Sequence, residues 1–278
     1  MVAQVRSQER RMAGGTGEHV RLAIQRLTVA LPKGRLLPPT QALLARLGYE
    51  TTVVGNGTRK LIAPDPIAPL RYLLVKPSDV PTYVQYGAAD VGFVGQDVLR
   101  EAQSDVLEPL NLGYGRCRLV LAGRPEQRGH DLRLASHLRV ASKYPNLTRA
   151  HFQQRGLSAE VIPLQGSVEL APLVGLADLL VDIVETGSTL QANGLVELEQ
   201  IGHFEAALIV NRASQWLKME QINELIVQIK RQTSSVTLRA GGETSEAGRI
   251  EDGRLDIDRG GRGGSAADGA APPIVGRG

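Results

Sequence analysis

The stretch "DLLVDIVETGSTLQANGL" (residues 178–195) opens as a run of β-branched and aliphatic residues, then breaks into small hydroxyls around a glycine. The run 179–184 has the length and composition of a buried strand, and "TLQANG" (189–194) reads as a short helix. A strand that passes through Thr186, Gly187, Ser188 and Thr189 into a helix start turns backbone N–H groups and hydroxyls toward one spot. That chemistry suits an anion. Gly187 lets the backbone come close to a ligand, and Asp182, inside the strand, can accept hydrogen bonds from ribose hydroxyls. The same spacing equally describes an ordinary capping threonine in a strand-to-helix loop. The stretch contains neither a "GxxxxGK" phosphate loop nor a "GxGxxG" dinucleotide turn.

Outward from this stretch, short β-rich runs alternate with amphipathic segments from Leu27 onward, the pattern of an α/β protein with mainly parallel, mixed sheets. Strands are predicted at 27–31, 50–54, 70–75 and 89–95, and helices at 40–48, 78–87 with Ser78 as N-cap, and 96–103. A second cycle runs through strands at 116–123, 138–145 and 159–164, helices at 146–156 and 167–177, and the opening stretch itself. Strands at 195–201 and 205–211 then lead into a helix at 216–232, in which Leu217, Ile222, Leu225, Ile226 and Ile229 fall near one face. These cycles imply two lobes, residues 27–112 with 203–233 and residues 113–202, with a cleft between them where ligands commonly sit.

The 278 residues, 42% of them hydrophobic, suffice for a real core. The 32 basic and 29 acidic residues are dispersed, without the aromatic-interleaved basic run that nucleic-acid binding favours. A single cysteine, Cys117, excludes an internal disulfide and a multi-cysteine metal site, and reads as a packed small residue within a strand. No segment has about 18 uninterrupted apolar residues, and the N-terminus lacks a signal-peptide core, so a cytoplasmic location is expected. Residues 1–26 read more simply as a frayed arm than as a transit peptide. From Ser234 the chain turns glycine-rich and mixed in charge, too poor in apolar surface to offset about 1 to 2 kcal/mol of ordering entropy per residue, so disorder is predicted for 234–278.

The run 169–190, "ELAPLVGLADLLVDIVETGSTL", resembles the signature of the ATP phosphoribosyltransferase family. So do "ALPKGRL" (30–36), "RKLIA" (59–63), "DVPTYVQYGAADVGFVGQDVL" (79–99), "LGYGRCRLVLA" (112–122) and "SKYPNLTRAHF" (142–152), in the family's order. Leu180 stands where isoleucine or valine is expected. Glu185 stands where other members often carry a small residue, which leaves the charge of the loop open. The resemblance implies a type II periplasmic-binding-protein architecture with its active site in the interdomain cleft. It also implies attack by adenine N1 of ATP on C1 of phosphoribosyl diphosphate, with magnesium present. Adenine N1 is unprotonated near neutral pH, so no strong base is required, and the barrier lies in the departure of diphosphate.

Lys33 and Arg35, straddling Gly34 after the first strand, are the expected electrostatic catalysts. Glu169, Asp182, Thr186, Gly187, Ser188, Thr189 and Leu190 are expected to hold phosphoribosyl diphosphate, and Gly34, Arg59, Asp79, Asp90 and Lys143 to hold ATP. Gly92 and Gly95 are read as allowing substrate to approach beside Asp90. Asp79 equally suits a helix start, and Glu169 a capping position. Magnesium is expected to arrive mainly on substrate phosphates, with its protein ligands unassigned. Without a regulatory domain after residue 234, the chain resembles the family's short form, whose partner is similar to a histidyl-tRNA synthetase catalytic domain. The rival readings are a two-lobed binding module without chemistry and another phosphoribosyltransferase.

Overall fold

The computed structural model describes residues 26–242 except Asn56 and Ser136, and for Leu134 and residues 234–242 it describes the backbone alone. The expected N-terminal arm, apart from Arg26, lies outside the described residues, as does the expected tail beyond Gly242. The strands are β1 (Leu27–Pro32), β2 (Ile62–Pro64), β3 (Leu70–Val75), β4 (Val91–Gly95), β5 (Leu107–Asn111), β6 (Cys117–Gly123), β7 (Arg139–Ser142), β8 (Glu160–Pro163), β9 (Leu179–Val184), β10 (Val196–Phe204) and β11 (Ala206–Val210). The helices are α1 (Leu37–Arg46), α2 (Val80–Gln85), α3 (Gln96–Ala102), α4 (Pro145–Gln154), α5 (Leu170–Leu173), α6 (Ser188–Ala192), α7 (Arg212–Leu217) and α8 (Met219–Gly242).

Two sheets result, ordered β2-β3-β1-β4-β11-β5 and β10-β6-β9-β7-β8. Both are mixed. Among the described residues four strand pairs run parallel and five antiparallel, the parallel ones being β1 with β3 and β4, and β7 with β8 and β9. Antiparallel pairing enters chiefly through β11 in the first sheet and through β6 and β10 in the second, next to the two places where the chain crosses between sheets. The crossing segments bond to each other: Leu112 N–H donates to the Ala206 carbonyl and Ala206 N–H to that of Tyr114, each at 2.9 Å.

Alternation along β1 shows why each sheet is covered on both faces. Leu27, Val29 and Leu31 point toward Leu43 and Leu44 of α1 and Ile222, Leu225 and Ile229 of α8. Ala30 points the other way, toward Val80 and Val84 of α2 and Leu99 of α3. The second sheet repeats the scheme, with Ala171 of α5 and Leu190 of α6 on one face and Phe152 of α4 on the other. Each buried leucine or isoleucine contributes about 1.5 to 3 kcal/mol.

Several local expectations are corrected. The strand expected at 50–54 does not form, and the chain turns and bends over 52–55, because Gln41 Nε2 donates to the Thr51 and Val54 carbonyls at 3.1 and 3.3 Å and so replaces a ladder. Ser78 does not cap a helix: Pro77–Asp79 is a 3-10 turn, and the Ser78 hydroxyl donates to Asp79 Oδ1. The helix expected at 167–177 is a single turn, α5, cut short between Ser167 and Gly175, both at positive φ. The helix expected at 216–232 breaks at Lys218 into α7 and α8, leaving Leu217 82% exposed. The α8 backbone stays helical through Gly242, nine residues into the segment predicted to be disordered.

Candidate active site

The seven residues expected to hold phosphoribosyl diphosphate converge. Glu169, Asp182 and the whole loop from Thr186 to Leu190 line one cavity of about 460 Å3, completed by Ser167, Leu180, Ile183, Val184 and Glu185. The loop's shape follows from Gly187, which sits at φ +82° as the N-cap of α6. There any residue with a Cβ is strained by about 1 to 2 kcal/mol. Thr186 Oγ1 lies 3.1 Å from Ser188 Oγ, so the hydroxyls cluster at the mouth of the loop. Leu190 is buried in the core, so it offers the site only its backbone.

The loop has support beneath it. Arg118 donates twice to Glu197, at 2.6 and 2.9 Å, and Glu197 Oε1 stands 3.4 Å from where a Cβ on Gly187 would lie. Asp182 is largely buried, and burial pushes its carboxyl above the usual carboxylate range. The Ile183 N–H, donating at 2.8 Å, and nearby Lys143 work against that rise, whereas Glu169 adds to it. Lys143 therefore stands beside Asp182, at the end of β7. Glu169 itself makes no hydrogen bond or ion pair among the described residues.

The first sheet meets this loop through its own carboxyl edge, where ligands collect in α/β proteins. Lys33, Gly34 and Arg35 follow β1 directly, and Gly34 takes φ +81°. Arg35 forms an ion pair with Glu185, so a guanidinium from one sheet edge is already joined to the loop of the other. A second cavity of about 520 Å3 adjoins the first at Val184 and Glu185 and is lined by Gln96, Arg116, Cys117, Arg118 and residues 203–205 at the strand crossing. Cys117 is a buried thiol whose pKa burial raises, with Arg35 acting in the opposite direction.

Other expected residues are placed elsewhere. Asp90 is not in the cleft. It stands before β4, at the amino edge of the sheet, 5% exposed. Its carboxylate accepts from Thr28 N–H, Ser214 Oγ and Lys218 Nζ, all at 2.7 Å. Gly92 and Gly95 admit protein, not substrate: a Cβ at Gly92 would meet Val84 and Val80 at 2.8 and 2.9 Å, and one at Gly95 would meet Asp97 Oδ1 at 2.1 Å. Arg59 and Asp79 line neither of these two cavities; Arg59 lies exposed in the loop before β2, and Asp79 closes the 3-10 turn after β3.

Three cations went unrecognised in the sequence. Lys76 follows β3 just as Lys33 follows β1, and the register Pro32 with Val75 sets the two side by side. Arg116 and Arg118 flank Cys117, and their spacing of two places both on one side of the chain, a signal that was present in "RCR".

Comparisons with known proteins agree with this geometry. A family model described as HisG, ATP phosphoribosyltransferase, matches residues 76–231. The ATP phosphoribosyltransferase of Syntrophotalea carbinolica is 47% identical over 206 residues, 74% of this chain and 94% of its own length. That of Sorangium cellulosum is 48% identical over 208 residues, 75% of this chain and 96% of its own. Among solved structures, the ATP phosphoribosyl transferase (HisG:HisZ) complex from Thermotoga maritima aligns with TM-score 0.65 and 34% identity, over 75% of this chain and 99% of that one. Tv2483 bound to L-arginine aligns with TM-score 0.51 over 81% of this chain and 89% of that one, and at 12% identity it shows the fold alone, that of the type II binding proteins. A cavity assembled from the predicted loop, on this fold, in a chain so closely related over most of its length, leaves one conclusion: the chain belongs to the ATP phosphoribosyltransferase family, the pentosyl transferases of the first step of histidine biosynthesis.

Proposed function

We propose that this chain catalyses attack of adenine N1 of ATP on C1 of phosphoribosyl diphosphate, with the labour divided between the two sheet edges. The loop 186–190 holds the 5-phosphate and Asp182 accepts from the ribose hydroxyls. Lys33 and Arg35 draw off the charge that builds on the departing diphosphate. Gly34, Arg59 and Asp79 serve the ATP side, and Lys143 stands at the boundary between the two substrates. Asp90 is left out, since its carboxylate is already saturated at the far edge of the sheet.

One observation carries this reading: seven residues chosen from sequence line a single cavity, and Arg35 reaches it from the other sheet. Among the described residues no group of three or more His, Cys, Asp or Glu side chains could hold a metal ion. The hard oxygen donor of Glu169, lining the cavity and unpaired, fits a magnesium ion that keeps most of its shell from phosphate oxygens and water. When bound, that ion neutralises charge on the diphosphate. The relatives are matched over 94% and 96% of their own length, which supports the short form. The Thermotoga HisG:HisZ complex supports a regulatory partner, and the family resemblance makes that partner one similar to a histidyl-tRNA synthetase catalytic domain. The cytoplasm is the matching location for such a biosynthetic enzyme.

The test is turnover of ATP, phosphoribosyl diphosphate and magnesium by the full chain, alone and with such a partner, with histidine added to each. Turnover is expected, with histidine inhibiting only the mixture. Arg35→Ala should lose roughly a hundredfold in kcat, as removal of one charge-stabilising donor does elsewhere. A wild-type rate in Arg35→Ala would overturn the assigned roles.

A further inference from the structure

Helix α4 begins without a cap of its own. Its N-cap residue, Tyr144, makes no side-chain bond to the first turn. Pro145 has no N–H to offer. The next donors are met from outside: Asn146 N–H lies 2.9 and 3.1 Å from the two carboxylate oxygens of Glu101, and Leu147 N–H lies 3.0 Å from one of them. Asn146 Nδ2 adds a bond to the Glu101 carbonyl at 3.0 Å. Glu101 belongs to α3, whose Leu99 packs on the first sheet, whereas α4 packs on the second. A helix on one sheet is thus capped by a carboxylate carried on the other.

A second bond runs beside the first. Tyr144 Oη donates to Asp97 Oδ2 at 3.0 Å, and Asp97 is 5% exposed. Position 144 therefore holds a residue that reaches across the gap where a local serine or aspartate would close the helix on itself. The segment gripped in this way, residues 143–147 at the start of α4, is tied to the end of β7, where Tyr144 N–H and Thr148 Oγ1 both donate to Ser142 Oγ at 2.9 Å. Lys143, beside Asp182, rides on it.

We propose that Asp97 and Glu101 are positioning residues for phosphoribosyl transfer, fixing the start of α4 (143–147) and the carboxyl edge of the second sheet against the edge that carries Lys33 and Arg35. The inference rests on the functional reading above, in which the 5-phosphate is held by one sheet and the leaving group is stabilised from the other. Such a division works only at a fixed separation, because a displacement of about 1 Å can cost roughly a hundredfold in rate. The bonds that set the separation are made by neither substrate. They are present in the protein itself.

The test uses the full chain, with its partner if turnover requires one, carrying Glu101→Ala or Glu101→Gln. Kinetics with both substrates are read beside the affinity for ribose 5-phosphate, measured by calorimetry. Glu101→Ala should lose roughly tenfold or more in kcat while its ribose 5-phosphate affinity stays within about twofold, because that pocket lies on the second sheet alone. Glu101→Gln, which keeps an acceptor oxygen, should recover most of the rate. Should Glu101→Ala fail to fold, Tyr144→Phe removes a single hydroxyl bond and should lower kcat about threefold with the same affinity. An unchanged kcat, or an equal loss of kcat and ribose 5-phosphate affinity, overturns the inference. An inactive wild type would instead defeat the functional reading, and this inference with it.

Discussion

Asp182 carries an ionisable group that the fold keeps partly against its preference. Burial raises its pKa, so the folded chain holds a proton at pH values where the unfolded chain has released it. The resulting stability is present below the ordinary carboxylate value of about 3.9 and is lost as pH rises through the raised one. Asp182→Asn keeps the acceptor for Ile183 N–H and cannot ionise. Its melting temperature should match wild type near pH 4 and exceed it increasingly toward pH 7, while kcat/KM falls roughly tenfold or more. Thermal melts across that range, paired with kinetics, check both halves. A variant that melted lower than wild type at pH 7 would show that the buried charge is already compensated within the protein. The loop around Asp182 was legible because its chemistry is local: a strand end, a glycine at positive φ and hydroxyls two residues apart occur together in eighteen letters.

At the scale of the element, what could be read depended on where each segment finds its hydrogen bonds. Strands β1, β3, β4, β6 and β9 were visible because they are apolar runs of five to seven residues bounded by turns. Residues 50–54 carry the same β-branched letters, yet a glutamine from α1 occupies the Thr51 and Val54 carbonyls, a long-range event that leaves no local trace. Gly92 and Gly95 were misread for a related reason, since a glycine required by helix packing and one required by a ligand look alike in sequence. Asp90 shows the same limit. Its partners Ser214 and Lys218 are more than a hundred residues away, and they bind β1, β4, α7 and α8 together at the amino edge. Asp90→Ala should therefore cost about 3 kcal/mol of stability, the low end for a broken buried pair because the Lys218 side chain keeps 21% exposure. Urea unfolding measures that loss, and KM for both substrates should stay within about twofold, since Asp90 lines neither cavity of the candidate site. A raised KM for ATP would return Asp90 to the active site.

Across the whole molecule, two sheets with separate cores are joined by a pair of crossing segments and by contacts that span the gap. The existence of two lobes was readable from the repeated alternation of strand and helix. The bonds between them were not, because Glu101 with Asn146, Asp97 with Tyr144 and Arg35 with Glu185 pair residues that are ordinary in their own segments. The last of these pairs has a consequence for selectivity. Glu185 holds the guanidinium of Arg35 before any substrate arrives, and a carboxylate tethered to its own chain competes at an effective concentration on the order of millimolar. Under the proposed division of roles, the diphosphate arm of phosphoribosyl diphosphate, more highly charged and with Lys33 assigned as its second partner, would evict such a decoy where free phosphate would not. Glu185→Ala should accordingly be inhibited by inorganic phosphate at about threefold to tenfold lower concentration than wild type, an equal response in the two being the contrary result. The resting protein would then be its own filter, screening out the abundant small anions of its surroundings and yielding only to the polyanion it consumes.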